Sequence, residues 1–169
     1  MNDAPRERLL TGPLVAFALL VAGVVGWAVT TRHPSPDLDG AVELLADGDL
    51  DRDERERMLR RILDLAPEAE TLRQRWATVL AAVSLADAEA FAALEPTLGE
   101  GGSRVLPPAE RQWLDLGDAL LANVLAAMSH EAAGDREAAL VRWRQVREQA
   151  RLTHQTFAGE LAEERIAGR

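Results

Sequence analysis

Leu9 to Thr31 reads LLTGPLVAFALLVAGVVGWAVTT, and these 23 residues carry no charge. As a helix they span about 34 Å, enough to cross a hydrocarbon core of roughly 30 Å. Everything C-terminal to them is rich in charge and helix-patterned. The expectation is therefore an all-α protein in four parts: a cytoplasmic N-terminus over 1–8, a single transmembrane anchor over 9–31, a linker over 32–39 and an exported helical domain over 40–169.

Arginine placement sets the expected orientation. Arg6 and Arg8 precede the apolar run, whereas only Arg32 lies in the twenty residues after it. Basic residues near the ends decide topology while acidic ones matter little, so the N-terminus is expected inside. The domain then lies on the outer side of the cytoplasmic membrane, in the periplasm or the extracellular space. Trp27 suits the outer interface, and Pro13 falls in the first turn, where a missing N–H costs little. The alternative is secretion after signal-peptide cleavage, with Gly26-Trp27-Ala28 offering small residues at the cleavage positions. The uncharged run exceeds the usual apolar core of such peptides, which favours the anchor. Ala18, Ala22 and Gly26 recur every four residues, a spacing that lets membrane helices pack closely.

Charge and composition narrow the function. The formal charge is −9, and 1–31 contributes nothing to it because Asp3 and Glu7 cancel Arg6 and Arg8. An acidic domain argues against nucleic acid and anionic lipid as main partners. The chain has no Cys and no Lys. That removes disulfides, thiol nucleophiles, thiolate metal sites, Walker-type nucleotide binding and Schiff-base chemistry.

Thr31 to Asp39 contains Pro34 and Pro36 and reads as a stiff, extended connection holding a solvated His33. Helical pattern begins near Leu38, with Val42, Leu44 and Leu45 as a short apolar face. Asp51 with Glu54 reads as a capping box for a helix that carries Met58, Leu59, Ile62, Leu63 and Leu65 and stops at Pro67. A further helix is expected over Glu68 to Val83 through Leu72, Trp76, Val79 and Leu80. Ser84 to Asp87 is a turn, and a short helix with Phe91 and Leu94 ends at Pro96. The Gly- and Pro-rich 97–108 stretch reads as a flexible break between two helical halves. One long helix is expected from Pro108 to about Glu131, with Trp113, Leu116, Leu120, Val124 and Met128 on one stripe and Leu114, Leu121 and Leu125 widening it. Gly134 turns the chain, Asp135 caps the next helix, and Ala139, Trp143, Val146, Ala150, Phe157 and Leu161 carry the apolar period to about Ile166, unbroken or bent near Thr153.

The hairpin around Gly134 resembles a tetratricopeptide repeat (TPR), a helix–turn–helix unit of about 34 residues. Ala127, Gly134 and Ala139 fall at that family's small positions and Trp143 at its large aromatic one. His130 stands where the first helix usually has an aromatic, and Arg151 where a Pro is expected. Ala41 to Pro67 looks similar with a longer turn, and the period continues to Ala77 and Leu80. The resemblance implies TPR-like antiparallel helical hairpins and protein–protein binding; the alternative is an irregular helical bundle.

No catalytic, cofactor or metal site is expected. Asp47, Asp49, Asp51 and Asp53 alternate, but neither register supplies the Gly and Glu of a calcium loop. His130 and His154 lack the spacing of a helical zinc pair, and no serine sits in a nucleophile-elbow context. The partner-binding candidate is Arg144, Arg147 and Arg151. Their spacing of three and four makes one stripe, on a stretch from Asp135 to Leu152 with five Arg against three acidic residues. Arg forks beside a helical groove suit an acidic peptide or a C-terminus. The expected function is a membrane-anchored, non-catalytic protein–protein interaction module, an adaptor, assembly factor or chaperone-like protein. The alternative is a small accessory structural subunit of a larger membrane complex. A reporter active only outside the cytoplasm, fused after Arg169, is expected to be active; a reporter active only in the cytoplasm would reverse the orientation.

Overall fold

A computed structural model describes residues 36–47, 49–100, 103–114 and 118–168. The apolar stretch 9–31, with Ala18, Ala22, Gly26 and His33, lies outside the described residues. No helix among the described residues is long and apolar enough to cross a membrane. The described chain is all-α, with eight helices and no strand: α1 (Leu38–Ala46), α2 (Arg52–Asp64), α3 (Leu72–Ser84), α4 (Ala88–Leu94), α5 (Pro108–Trp113), α6 (Ala119–Ala132), α7 (Arg136–Thr153) and α8 (Thr156–Ala167). Short 3-10 turns at Ala66–Glu68 and Glu95–Gly99 follow α2 and α4.

Helix starts follow local chemistry closely. The first turns of a helix leave backbone N–H groups without partners, and short polar side chains satisfy them. Asp37 accepts from the Gly40 N–H, Asp87 from Ala90 and Asp135 from Ala138. The Asp51–Glu54 capping box forms in both directions, at 2.8 and 3.2 Å. A second box between Thr71 and Gln74 starts α3 at Leu72, four residues later than the apolar period suggests, because Pro67 holds Ala66–Glu68 in a 3-10 turn.

α3 organises the packing. Its eight residues from Trp76 to Val83 are all buried, and a helix apolar all round must be covered on every side. It touches α1, α2, α4, α6 and α8. On α1 the buried face is Leu38, Ala41, Val42 and Leu45, whereas Leu44 is 43% exposed. The helical period places Leu44 off that stripe, so the expected face was one residue out. Asp39 ties α1 to α3 by pairing with Arg73 at 3.0 Å and accepting from Gln74 Nε2 at 3.0 Å.

The 97–108 break is pinned at its described residues. Leu98 and Leu106 are buried, and the indole N–H of Trp76 donates to the Arg104 carbonyl at 3.1 Å. Arg75 donates to the carbonyls of Thr97 and Glu100 at 3.1 and 2.8 Å. Two buried leucines and a fork of hydrogen bonds hold what Gly and Pro content alone would leave loose.

The long helix expected from Pro108 to Glu131 is two helices. α5 ends at Trp113, and Asp118 restarts the chain by accepting from the N–H groups of Leu120 and Leu121 at 2.8 and 3.4 Å. Leu116 and the side chain of Trp113 lie outside the described residues. Leu114, Leu120, Leu121, Val124, Leu125 and Met128 are buried as the apolar stripe requires. Gly134 makes the α6–α7 turn at φ +76°, where an L side chain is strained. The last apolar run is broken rather than continuous: His154 adopts φ +58° and ends α7. α8 then folds back along α7, bringing Gly159 against Ala150.

Removing the Asp118 cap isolates one of these local determinants. Asp118→Ala is expected to cost about 1 kcal/mol by thermal unfolding, while Asp118→Asn, which still caps, stays within a few tenths of wild type.

Candidate functional site

Three features with functional chemistry stand out; α8 contributes to the first two and borders the third. The first is a polar junction. Trp143 on α7 is fully buried, so its indole N–H needs an acceptor; it donates to Glu131 Oε1 of α6 at 2.8 Å. The other oxygen of Glu131 accepts from Arg165 of α8 at 3.3 Å, and Arg165 also pairs with Glu95 in the turn after α4. One guanidinium thus bridges two carboxylates from distant parts of the chain. All three are only about a quarter exposed: Arg165 24%, Glu131 30% and Glu95 21%. Glu131 therefore does not face its neighbour His130, which turns instead to Asp135 at 3.7 Å.

The second is a groove of about 710 Å³ between α4 and α8. Its floor holds Phe91 and Phe157, which meet edge to face with centroids 5.7 Å apart. Ala88, Ala92 and Pro96 line the α4 side, and Glu160, Leu161 and Glu164 line the α8 side. Arg104 and the Glu95–Arg165 pair close the groove.

The third is the outer face of α7. Trp143, Val146 and Ala150 are buried as expected, which leaves Arg144, Arg147 and Arg151 exposed. Val141 and Leu152 are exposed by 47% and 65%. They lie eleven residues apart, about three turns, and so share one face beside the arginines. Arg151 pairs with Glu148 at 2.7 Å on its own helix. That hydrogen bond and charge hold the Glu148 carboxyl below the ordinary carboxylate range and raise Arg151 above the usual arginine value. A depressed carboxylate contributes above its unfolded pKa, and the contribution fades as pH falls through the carboxylate range. Where α7 meets α8, the cleft beside Arg147, Arg151 and His154 has Glu160 and Glu163 on its other wall, so its charge is mixed rather than purely basic.

The expected stripe Arg144, Arg147 and Arg151 is thus on the surface as one face. The pattern gave no sign of Glu95, Arg104 and Arg165, because they meet only through the return of α8 to α4, a contact 70 residues apart in sequence. Asp47 is exposed, and Asp51 is spent as a helix cap. Among the described residues, no group of three or more His, Asp or Glu side chains is close enough to hold a metal ion. Fold and surface together define, among the described residues, an all-α domain with open, charged concavities. Known protein families, curated proteins and solved structures contain no match to this chain.

Arg165 is the group whose removal exposes the junction. Arg165→Met leaves Glu95 and Glu131 half-buried without their shared cation and is expected to cost about 2 kcal/mol in urea unfolding, below the 3–5 kcal/mol of a fully buried pair because solvent reaches this one. Arg165→Lys recovers only part, since an ammonium lacks the planar fork that reaches both carboxylates.

Proposed function

We propose that this chain is a membrane-tethered, non-catalytic interaction module that holds a partner protein beside the bilayer, on the outer side of the cytoplasmic membrane. The uncharged 9–31 stretch and the arginines before it support the tether and its orientation. The observation that carries the interaction reading is the α7 surface. Val141 and Leu152 stand exposed on one face of α7, flanked by Arg144 and Arg151 and, further round the helix, Arg147. Apolar side chains beside guanidiniums are the composition that protein interfaces favour. Arg144 and Arg147 are exposed, and Arg147 lies near enough to Glu148 to help lower its pKa; both guanidiniums can reach a carboxylate on a partner.

The hairpins α1–α2, α3–α4 and α6–α7 are read as TPR-like. In support, α3 adjoins both α1 and α6, as first helices of successive repeats do, and Ala127, Ala139 and Trp143 fill the α6–α7 interface.

A photo-crosslinking residue at position 144, introduced in cells, tests this reading. A protein adduct is expected, identifiable by mass spectrometry, with yield falling severalfold in Arg147→Glu at unchanged thermal stability and more steeply at low salt. No adduct at position 144, with adducts forming only through 9–31, would favour a structural subunit held by its anchor.

A further inference from the structure

The α7 surface leaves the α4–α8 groove without a role, although the groove is the larger concavity. Its shape has a specific origin. Ala88, Ala92 and Pro96 follow one another at four-residue intervals on the side facing α8, and all three are exposed. Methyl groups and a proline ring cannot fill the gap between the helices, so the gap stays open. Its floor is apolar, with Phe157 half-buried against Phe91. Along α8 the lining runs from Phe157 to Glu164, seven residues or about 10 Å, so the concavity follows a helix axis as an extended or helical segment would.

Charge chooses among occupants. The groove lining carries three carboxylates, Glu95, Glu160 and Glu164, against two guanidiniums, Arg104 and Arg165. Arg165 is already committed to Glu95 and Glu131. Glu160 and Glu164, one turn apart on the α8 lip, have no ion-pair or hydrogen-bond partner among the described residues. The groove is thus an apolar slot whose α8 lip carries two carboxylates, with Arg104 closing one end and Glu160 also bordering the α7–α8 cleft.

We propose that the α4–α8 groove binds a short segment of a partner protein that places an apolar side chain over Phe157 and basic residues against Glu160 and Glu164. This rests on the interaction-module reading, but uses a surface and a charge sign opposite to those of α7. Opposite charge gives specificity and orientation, while the buried side chain supplies most of the binding energy.

The test uses the full chain in zwitterionic lipid nanodiscs, labelled at alanine methyls. The probe is an eight-residue peptide with one Phe flanked by Arg, compared with the same peptide carrying Glu in place of Arg. The basic peptide is expected to shift the Ala88 and Ala92 methyl signals saturably, and the acidic peptide to leave them unmoved at the same concentration. Glu160→Arg with Glu164→Arg is expected to weaken the basic peptide at least tenfold, and Ala92→Trp to abolish its effect by filling the slot. Glu68→Arg, an exposed site outside the groove, controls for the overall acidity and is expected to change binding little. Equal response to both peptides, shifts that spare Ala88 and Ala92, or equal loss in the Glu68 variant would overturn the proposal. Because this readout needs neither export nor the α7 face, its failure is separate from failure of the crosslinking at position 144.

Discussion

The structure depends on covering α3. Eight consecutive buried residues on one helix leave it no solvent face, so five other helices must surround it. Apolar surface of this extent is worth roughly 25 cal/mol per Å² buried, and no other element of the domain concentrates it so densely. Trp76 makes the demand directional. Its ring is fully buried and its N–H reaches the Arg104 carbonyl, so the break between the helical halves is drawn onto the core rather than left in solvent. The α4–α8 groove follows from the same constraint: α8 is brought close enough to α3 to cover it, while the small side chains of α4 keep the outer gap open.

Short acidic side chains account for much of the local order. Asp37, Asp51, Asp87, Asp118 and Asp135 all begin helices, and each accepts from backbone N–H groups in the first turn. Part of the negative charge thus has a structural use at helix dipoles. The carboxylates of the groove lip do not serve in this way.

What the sequence made legible was local. The Asp51–Glu54 box, the turn at Gly134 and the core face of Trp143, Val146 and Ala150 all follow from spacings of three and four residues. The division of Pro108–Glu131 into two helices was missed because the apolar period runs through it, and Asp118 competes with that period by capping. The Thr71–Gln74 box was present in the sequence but lay inside a helical period read as beginning at Glu68. The junction of Glu95, Glu131 and Arg165 could not be found by any period: its members belong to three elements, and neither the stop at Pro96 nor the turn at Gly134 indicates that Arg165 joins them. Nor did the pattern of α7 reveal that Glu160 and Glu163 stand across from its arginines, since that depends on His154 reversing the chain.

That reversal has a consequence for the order of assembly. The α6–α7 and α7–α8 contacts join neighbours in sequence, so closing them costs little chain entropy. The Arg165–Glu95 contact joins residues 70 apart and depends on α8. In assembly, the local α6–α7 and α7–α8 contacts are therefore cheaper in chain entropy than the clasp on which the α4–α8 groove depends.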